Sequence, residues 1–169
     1  VSDNPKYLSI ARTPADLYLD KRNGRKSIML GIENGLALAG NIANVKHFAQ
    51  RGIVYMTLCH NGDNDICDSA RGQGEHGGLS EFGRQVVAEM NRLGLMIDLS
   101  HAAESTFWDV LKESQKPVVC SHSSCKALCD HPRNLTDEQM KRVLLSEISW
   151  RYWKASRCSS PKMLASHLA

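Results

Sequence analysis

Short apolar runs alternate with amphipathic stretches between residues 26 and 144 of this chain. The alternation is typical of parallel α/β folds, because each strand needs a helix to return the chain to the same end of the sheet. Four strand and helix units are predicted on this basis. The predicted strands are Ser27–Glu33, Ile53–His60, Leu95–His101 and Pro117–His122.

Apolar residues at helical spacing predict three helices between these strands. Their apolar faces consist of Leu38, Ile42, Val45 and Ala49 in the first helix, Phe82, Val86, Met90 and Leu93 in the second, and Phe107, Val110 and Leu111 in the third. Ser80 is a suitable N-cap for the second helix, and Gly94 is a suitable stop. Residues 61–78 form a long polar, glycine-rich segment, predicted to be a functional or mobile loop.

The pattern divides the chain at residue 145. Residues 1–145 are expected to form one α/β domain, with a short helix near residues 14–20, whereas residues 146–169 form a tail without a recognisable pattern. The length of 169 residues suffices for a domain with a core. It does not suffice for a complete eight-stranded barrel, which needs about 250 residues.

Composition and charge argue against two classes, the nucleic-acid-binding proteins and the membrane-spanning proteins. The formal net charge is +3 and no Lys/Arg-rich run occurs in the body of the chain, which argues against nucleic acid as a partner. Apolar runs all fall short of the roughly 20 residues of a membrane span, and the N-terminus lacks the layout of a signal peptide. Because the chain starts at Val1, removal of a signal stays open, and so do both a cytoplasmic and an exported location.

Every predicted strand ends in a side chain that can bind a metal. The four residues are Glu33, His60, His101 and His122. The carboxyl ends of parallel strands meet at one face, so these side chains are expected to share one site. Imidazole and carboxylate groups suit Zn²⁺ or a similar ion, and three protein ligands leave a position for an activated water. Asp98, on the same strand as His101, is expected to face the other side of the sheet or to support the site.

Two alternatives accompany this hypothesis. The four residues could be incidental, because a single strand-end histidine is often only a satisfied, partly buried group. A structural zinc or iron–sulfur site is the second alternative, and its residues would be Cys120, His122, Cys125, Cys129 and His131. Their spacing matches no pair of CxxC motifs, and buried reduced thiols explain the cysteines equally well. Ser121 beside His122 is not predicted to be a nucleophile and base, because adjacent strand residues point to opposite faces.

At these residues the chain resembles the membrane (renal-type) dipeptidases, the zinc peptidases of family M19. The resemblance covers roughly residues 26–143, and its segments agree in both residues and spacing. They are Gly31-Ile-Glu-Asn-Gly35, Thr57-Leu-Cys-His-Asn61, Gly78-Leu-Ser-Glu-Phe-Gly83, Glu89-Met-Asn-Arg-Leu-Gly94, Ile97-Asp-Leu-Ser-His101, Ser121-His-Ser-Ser124 and Pro132-Arg-Asn134. The resemblance implies a partial (β/α)8 TIM-type barrel of the metallo-dependent hydrolase kind.

The resemblance also implies roles for individual residues. Glu33 is similar to the carboxylate that bridges two zinc ions, and His101 and His122 are similar to the histidines that complete the second zinc site. His60 resembles the histidine that contacts the scissile carbonyl and stabilises the tetrahedral intermediate. Arg133 resembles the arginine that binds the free carboxylate of the substrate.

The chain departs from the family pattern at the first zinc site. Family members carry a His-x-Asp pair on an early strand and an aspartate on a late strand, and neither has an equivalent in this sequence. The resemblance therefore implies zinc-dependent hydrolysis of dipeptides. It also implies a truncated form of the enzyme, which lacks part of the binuclear site. One of the two zinc sites is nearly complete in this chain, and the other is not. The alternative is a non-catalytic metal-binding fragment that needs a partner chain to complete its barrel, and the exposed edges of a partial sheet leave a homo-oligomer open.

Overall fold

The computed structural model describes residue 1 and residues 3–145. The predicted tail, residues 146–169, lies outside the described residues. The described chain forms a mixed α/β fold whose sheets are parallel. Its elements are β1 (Leu8–Ile10), α1 (Pro14–Arg22), β2 (Lys26–Ile28), β3 (Leu30–Glu33), a 3₁₀ turn (Gly35–Leu38), α2 (Ala43–Gln50), β4 (Ile53–Thr57), α3 (Glu81–Leu93), β5 (Met96–Asp98), α4 (Glu104–Glu113), β6 (Val118–Val119) and α5 (Asp137–Leu145).

The main sheet has four parallel strands in the order β3-β4-β5-β6, which is also their order in the chain. Each pair of neighbours is joined by a crossover segment that contains a helix, as parallel pairing requires. The register pairs Glu33 with Thr57, Thr57 with Asp98, and Asp98 with Val119. The carboxyl ends of all four strands therefore lie along one edge, as predicted.

The N-terminal strands differ from the prediction. The segment predicted as one strand from Ser27 to Glu33 is divided into β2 and β3, which belong to different sheets. Strand β2 pairs in parallel with β1, a strand that the apolar pattern did not predict. The predicted short helix is confirmed as α1, and Thr13 caps it by accepting a hydrogen bond from the backbone N–H of Asp16.

The helix predicted after β3 is also divided. Leu38 closes the 3₁₀ turn, and Ala39 adopts a left-handed conformation with φ of 49° that ends the turn before α2 begins. The four apolar residues still face the core, because Leu38 and Val45 are buried and Ile42 and Ala49 pack against the same cluster. The spacing thus identified the buried face correctly and missed the break.

Three further predictions for the body of the chain are confirmed, those for the long loop and for the two ends of α3. Residues 61–78 form a loop without helices, Ser80 accepts a hydrogen bond from the backbone N–H of Gly83 at the start of α3, and Gly94 ends that helix with φ of 74°. The core lies between the sheet and α2, α3 and α4. Its largest fully buried side chains include Phe107, Leu38, Met56, Leu58, Ile66, Met90 and Ile97.

Candidate metal centre

Four side chains meet at the carboxyl edge of the main sheet around a single oxygen atom. Oε1 of Glu33 lies 3.6 Å from Nε2 of His60 and 3.4 Å from Nε2 of both His101 and His122. The Nε2 atoms of His101 and His122 are themselves 2.9 Å apart. The structure therefore brings together all four strand-end residues that the sequence indicated.

The three histidines lie in turns beyond their strands, although the sequence predicted that each strand extends to its histidine. Strands β4, β5 and β6 end before His60, His101 and His122 are reached. His101 has φ of 74°, in the left-handed region that residues with a Cβ rarely adopt. Such a conformation persists only where the surroundings hold it, and it aims the imidazole across the sheet edge towards Glu33.

The loop of residues 61–78 supplies that support. The hydroxyl of Ser69 donates a hydrogen bond of 2.5 Å to the carbonyl of His60, and it lies 3.3 Å from the carbonyl of His101. The N–H of Ala70 donates to the same His101 carbonyl at 2.8 Å. Ser69 is buried and was not singled out from the sequence, which offers no pattern that would mark it.

His101 is the buried member of the cluster. Its side chain is 3% exposed, whereas those of His60 and His122 are 42% and 41% exposed. Burial lowers the pKa of His101 to about 4, and the nearby positive charge of Arg133 acts in the same direction. The imidazole is therefore neutral at physiological pH, which is the form that binds a metal.

The donor set fits a divalent metal ion. One carboxylate oxygen of Glu33 and one nitrogen each from His101 and His122 lie within 4.8 Å of one another. Two imidazoles and a carboxylate form a ligand set typical of catalytic zinc sites. In the part of the chain that the structure describes, this is the one group of three or more His, Cys, Asp or Glu side chains arranged in this way.

A buried carboxylate lies directly behind the cluster. Asp98 is fully buried, and its oxygens accept hydrogen bonds from the hydroxyl of Thr57 at 2.7 Å and from the N–H and hydroxyl of Ser121 at 2.9 and 2.5 Å. The N–H of Ser100 is a further donor at 3.0 Å. Asp98 therefore joins the ends of β4, β5 and β6, in line with the supporting role considered from the sequence.

The geometric argument that separated Ser121 from His122 is wrong. The Ser121 hydroxyl lies 2.7 Å from Nδ1 of His122, because strand β6 ends at Val119 and the alternation of faces ends with it. The arrangement is still not a catalytic triad. In a triad the carboxylate contacts the histidine, whereas here Asp98 contacts the serine.

Arg133 lies beside the cluster, and its guanidinium group has few hydrogen-bond partners among the described residues. Its Nη2 is 3.5 Å from the carbonyl of His122, a distance at which a hydrogen bond is weak. Its Nε is buried and has no hydrogen-bond partner among the described residues. A guanidinium group in this state can bind a carboxylate that enters the site.

The cysteines take no part in the cluster. Cys59, Cys67, Cys120 and Cys125 are buried, and burial raises the pKa of Cys120 well above its usual range. Cys129 is exposed, and these five cysteines form no disulfide with one another. None of the five belongs to the metal-competent group, and buried reduced thiols account for four of them.

Comparisons with known proteins identify the relatives of this chain. The profile of the membrane dipeptidases, peptidase family M19, matches residues 1–147. Dipeptidase verJ of Clonostachys rogersoniana is 39% identical over 132 residues, which make up 78% of this chain and 34% of that protein. This chain thus spans about one third of the length of the curated relatives it matches.

Solved structures agree in fold. The probable dipeptidase PvdM from Pseudomonas aeruginosa superposes with a TM-score of 0.84 and 32% identity, over 86% of this chain and 38% of that chain. A metallo peptidase from Rhodobacter sphaeroides, liganded with a phosphinate mimic of the dipeptide L-Ala-D-Ala, superposes with a TM-score of 0.79 and 28% identity. The second alignment covers 86% of this chain and 43% of that chain. Among the described residues, no helix has the length and apolar content that a membrane crossing needs.

Proposed function

This chain belongs to the membrane dipeptidase family, peptidase family M19, and from that premise we propose that it forms the metal-binding part of a zinc-dependent dipeptidase. The observation that carries the proposal is the convergence of Glu33, His101 and His122 within 4.8 Å. The proposed substrate is a dipeptide with a free carboxylate. The proposed fold of the whole enzyme is a (β/α)8 barrel, of which residues 1–145 supply four strands of the wall.

Glu33, His101 and His122 would hold the ion. A zinc ion in such a site supplies a Lewis acid and lowers the pKa of a coordinated water to about 7. The protein prepares the ligands beforehand, because burial keeps His101 neutral and the loop hydrogen bonds hold its backbone in the left-handed conformation. Metal binding would therefore require no net loss of a proton from His101 at neutral pH.

His60 and Arg133 would act on the substrate. His60 lies 3.6 Å from the Glu33 oxygen and is 42% exposed, so its ring can reach a carbonyl that enters from solvent. We assign it the stabilisation of the developing oxyanion by a hydrogen bond. Arg133 would bind the carboxylate of the substrate, because a guanidinium group matches a carboxylate with two parallel hydrogen bonds. Together the two residues would fix both ends of the reacting segment.

A second candidate function is a metal-binding unit that is inactive alone and needs a partner chain to complete its barrel. The observation in its favour is that the described residues assemble one metal-competent group, whereas the resemblance implies a binuclear centre. Strands β3 and β6 are also open edges of the main sheet in the described part of the chain. Open edges favour association with another chain.

An assay of the full chain with zinc and a panel of dipeptides tests the proposal. We expect slow, metal-dependent release of free amino acids, with a rate at least about 10²-fold below that of a full-length family member, because a general acid or base alone is worth about 10² to 10⁴ in rate. The chelated protein serves as the metal-free control.

The His60→Ala variant separates this activity from a contaminating peptidase, because the exposed His60 ring can be removed without opening the core. Turnover that persists in His60→Ala would contradict the role of His60. Zinc binding without any turnover would favour the second candidate function, and a folded chain without metal binding would refute both.

A further inference from the structure

His122 is in contact with a hydroxyl that is itself bound to a buried carboxylate. Nδ1 of His122 lies 2.7 Å from the Ser121 hydroxyl, and that hydroxyl lies 2.5 Å from Oδ2 of Asp98. Asp98 has no exposed surface. Through Ser121, these contacts link the buried Asp98 to the ring of His122, a proposed metal ligand. They reach the ring on the side that faces away from Glu33.

The partners of Asp98 decide the direction of these hydrogen bonds. Oδ1 of Asp98 accepts from two backbone N–H groups, those of Ser100 and Ser121, which have no capacity to accept. Oδ2 accepts from the hydroxyl of Thr57. Asp98 thus accepts hydrogen bonds at both of its oxygens from three donors other than the Ser121 hydroxyl, which makes it an acceptor towards that hydroxyl as well. The Ser121 hydroxyl must then donate its single hydrogen to Asp98, and it turns a lone pair towards Nδ1 of His122.

We propose that Asp98 and Ser121 are positioning residues that fix the tautomer of His122. With a lone pair of Ser121 in front of it, Nδ1 of His122 carries the proton, and Nε2 presents its own lone pair towards Glu33 and His101. This is the tautomer that binds a metal through Nε2, and a hydrogen bond on the opposite ring nitrogen is what selects it. Its value for catalysis rests on the proposed function, whereas the tautomer itself does not.

The contact between the two histidines agrees with this assignment. The Nε2 atoms of His101 and His122 are 2.9 Å apart, so one of them donates a hydrogen bond to the other. If His122 accepts, His101 donates from Nε2, and its buried Nδ1 is an acceptor without a partner among the described residues. The reverse arrangement would bury an N–H at that atom without an acceptor among the described residues.

Ser100 offers a matched control. Its hydroxyl accepts a hydrogen bond of 3.0 Å from the backbone N–H of His122 and lies 3.4 Å from the Ser121 hydroxyl, so it supports the same residue without contacting the ring nitrogen. Loss of the Ser100 hydroxyl disturbs the backbone of His122. Loss of the Ser121 hydroxyl removes the partner of the ring. A purely structural role would make the two substitutions equivalent.

The experiment is ¹H–¹⁵N correlation NMR of the histidine rings in the metal-free full chain at pH 8, with His122→Gln used to assign the signals of His122. We expect the Nδ1–H tautomer in the native chain and in Ser121→Thr, which keeps the hydroxyl. Ser121→Ala should show a mixture of tautomers, and Ser100→Ala should keep the native one. Zinc affinity, measured by competition with a chelator, should fall about 10-fold or more in Ser121→Ala, and Ser121→Thr should restore it.

Two results would overturn the inference. The first is an Nε2–H tautomer of His122 in the native chain, which would mean that Asp98 holds a proton and that Ser121 donates to the ring. The second is an unchanged tautomer and an unchanged zinc affinity in Ser121→Ala. A native chain that has the Nδ1–H tautomer but binds no zinc would uphold the positioning by Asp98 and Ser121, and it would refute the proposed function instead.

Discussion

Burial divides the residues of the candidate metal centre into two kinds. His101 is enclosed by the fold and held in a left-handed conformation, whereas the side chains of Glu33, His60 and His122 are 41–54% exposed. A substitution of His101 therefore removes a proposed ligand and also opens a cavity in a packed region. A substitution of His122 removes a ligand at the surface, which makes His122 the cleaner probe of metal binding.

Replacement of either histidine is expected to abolish tight zinc binding. His101→Ala and His122→Ala each leave two ligands of the three, which is too few for a stable zinc site. Equilibrium dialysis followed by metal analysis measures the effect, and circular dichroism checks the fold. The double variant Cys125→Ala and Cys129→Ala is the control, and it should bind zinc normally. Zinc lost in the cysteine variant and kept in the histidine variants would mean that the alternative cysteine site is correct.

The convergence of the four side chains at the candidate site could be predicted from the sequence, but the residues that hold them in place could not. The sequence identifies four residues because each follows an apolar run, and parallel strands bring such positions together. They are Glu33, His60, His101 and His122. The role of Ser69 depends on the path of a long loop, which no periodicity describes. The contact between Ser121 and His122 depends on where β6 ends, and propensity does not fix strand ends.

At the scale of elements, the loop of residues 61–78 is organised by two carboxylates. Asp63 accepts hydrogen bonds from the backbone N–H groups of Ser69, Gln73 and Gly74. Asp68 accepts from those of His76 and Gly78. These hydrogen bonds define the path of the loop, and that path brings Ser69 to the candidate metal centre.

Asp63→Asn is expected to destabilise the chain by about 1–3 kcal/mol at pH 7, because an amide cannot accept all of these hydrogen bonds. Desolvation raises the pKa of Asp63, but the bonds from Ser69, Gln73 and Gly74 outweigh it and lower the pKa below 3.8. A carboxyl group with a lowered pKa in the folded state stabilises the fold above its unfolded pKa, and this stabilisation is lost as the pH falls through the folded value.

Urea unfolding at pH 7 and at pH 3 measures the difference between Asp63→Asn and the native chain, and this difference should shrink at pH 3. Glu75→Gln makes the same change of charge in the same loop at an exposed side chain, and it should have little effect at either pH. A difference that is equal at both pH values would show that the charge of Asp63 does not stabilise the loop.

Helix caps provide a second comparison between elements. Ser80 caps α3, and its hydroxyl also donates to the carbonyl of Asp65 at 2.6 Å, whereas Thr13 caps the less buried α1. We expect Ser80→Ala to cost about 1–2 kcal/mol and Thr13→Ala to cost less, because α3 packs four residues into the interior and α1 buries only Asp20. Thermal unfolding of the two variants checks the order, and equal losses would contradict it.

The elements that were predicted well are those long enough to show several repeats of the apolar pattern. Helix α3 spans 13 residues and shows its cap, its apolar face and its glycine stop in the sequence. Strands β1 and β2 have three residues each, too few for an alternation to be visible. The segment from Ser27 to Glu33 was predicted as one strand because its apolar content is continuous. The change from one sheet to another at Met29 depends on tertiary pairing with β1.

Considered as a whole, the described molecule carries one metal-competent group at one edge of one parallel sheet. We therefore expect the purified full chain to retain about one zinc ion per molecule after dialysis. Bound zinc should also raise the unfolding temperature, because an ion that binds only the folded state stabilises it by mass action. Mass spectrometry under native conditions measures the stoichiometry. Two tightly held ions would require ligands beyond Glu33, His101 and His122.

The agreement between the order of strands in the sheet and their order in the chain has a consequence for protein synthesis. On the ribosome, Glu33 emerges first and His122 last, and each new strand finds its neighbour already made. The ligand set is incomplete until β6 and the turn after it have left the exit tunnel. We therefore expect nascent chains arrested with residue 122 still inside the exit tunnel to capture no zinc, and chains long enough to expose residue 122 outside the tunnel to capture it.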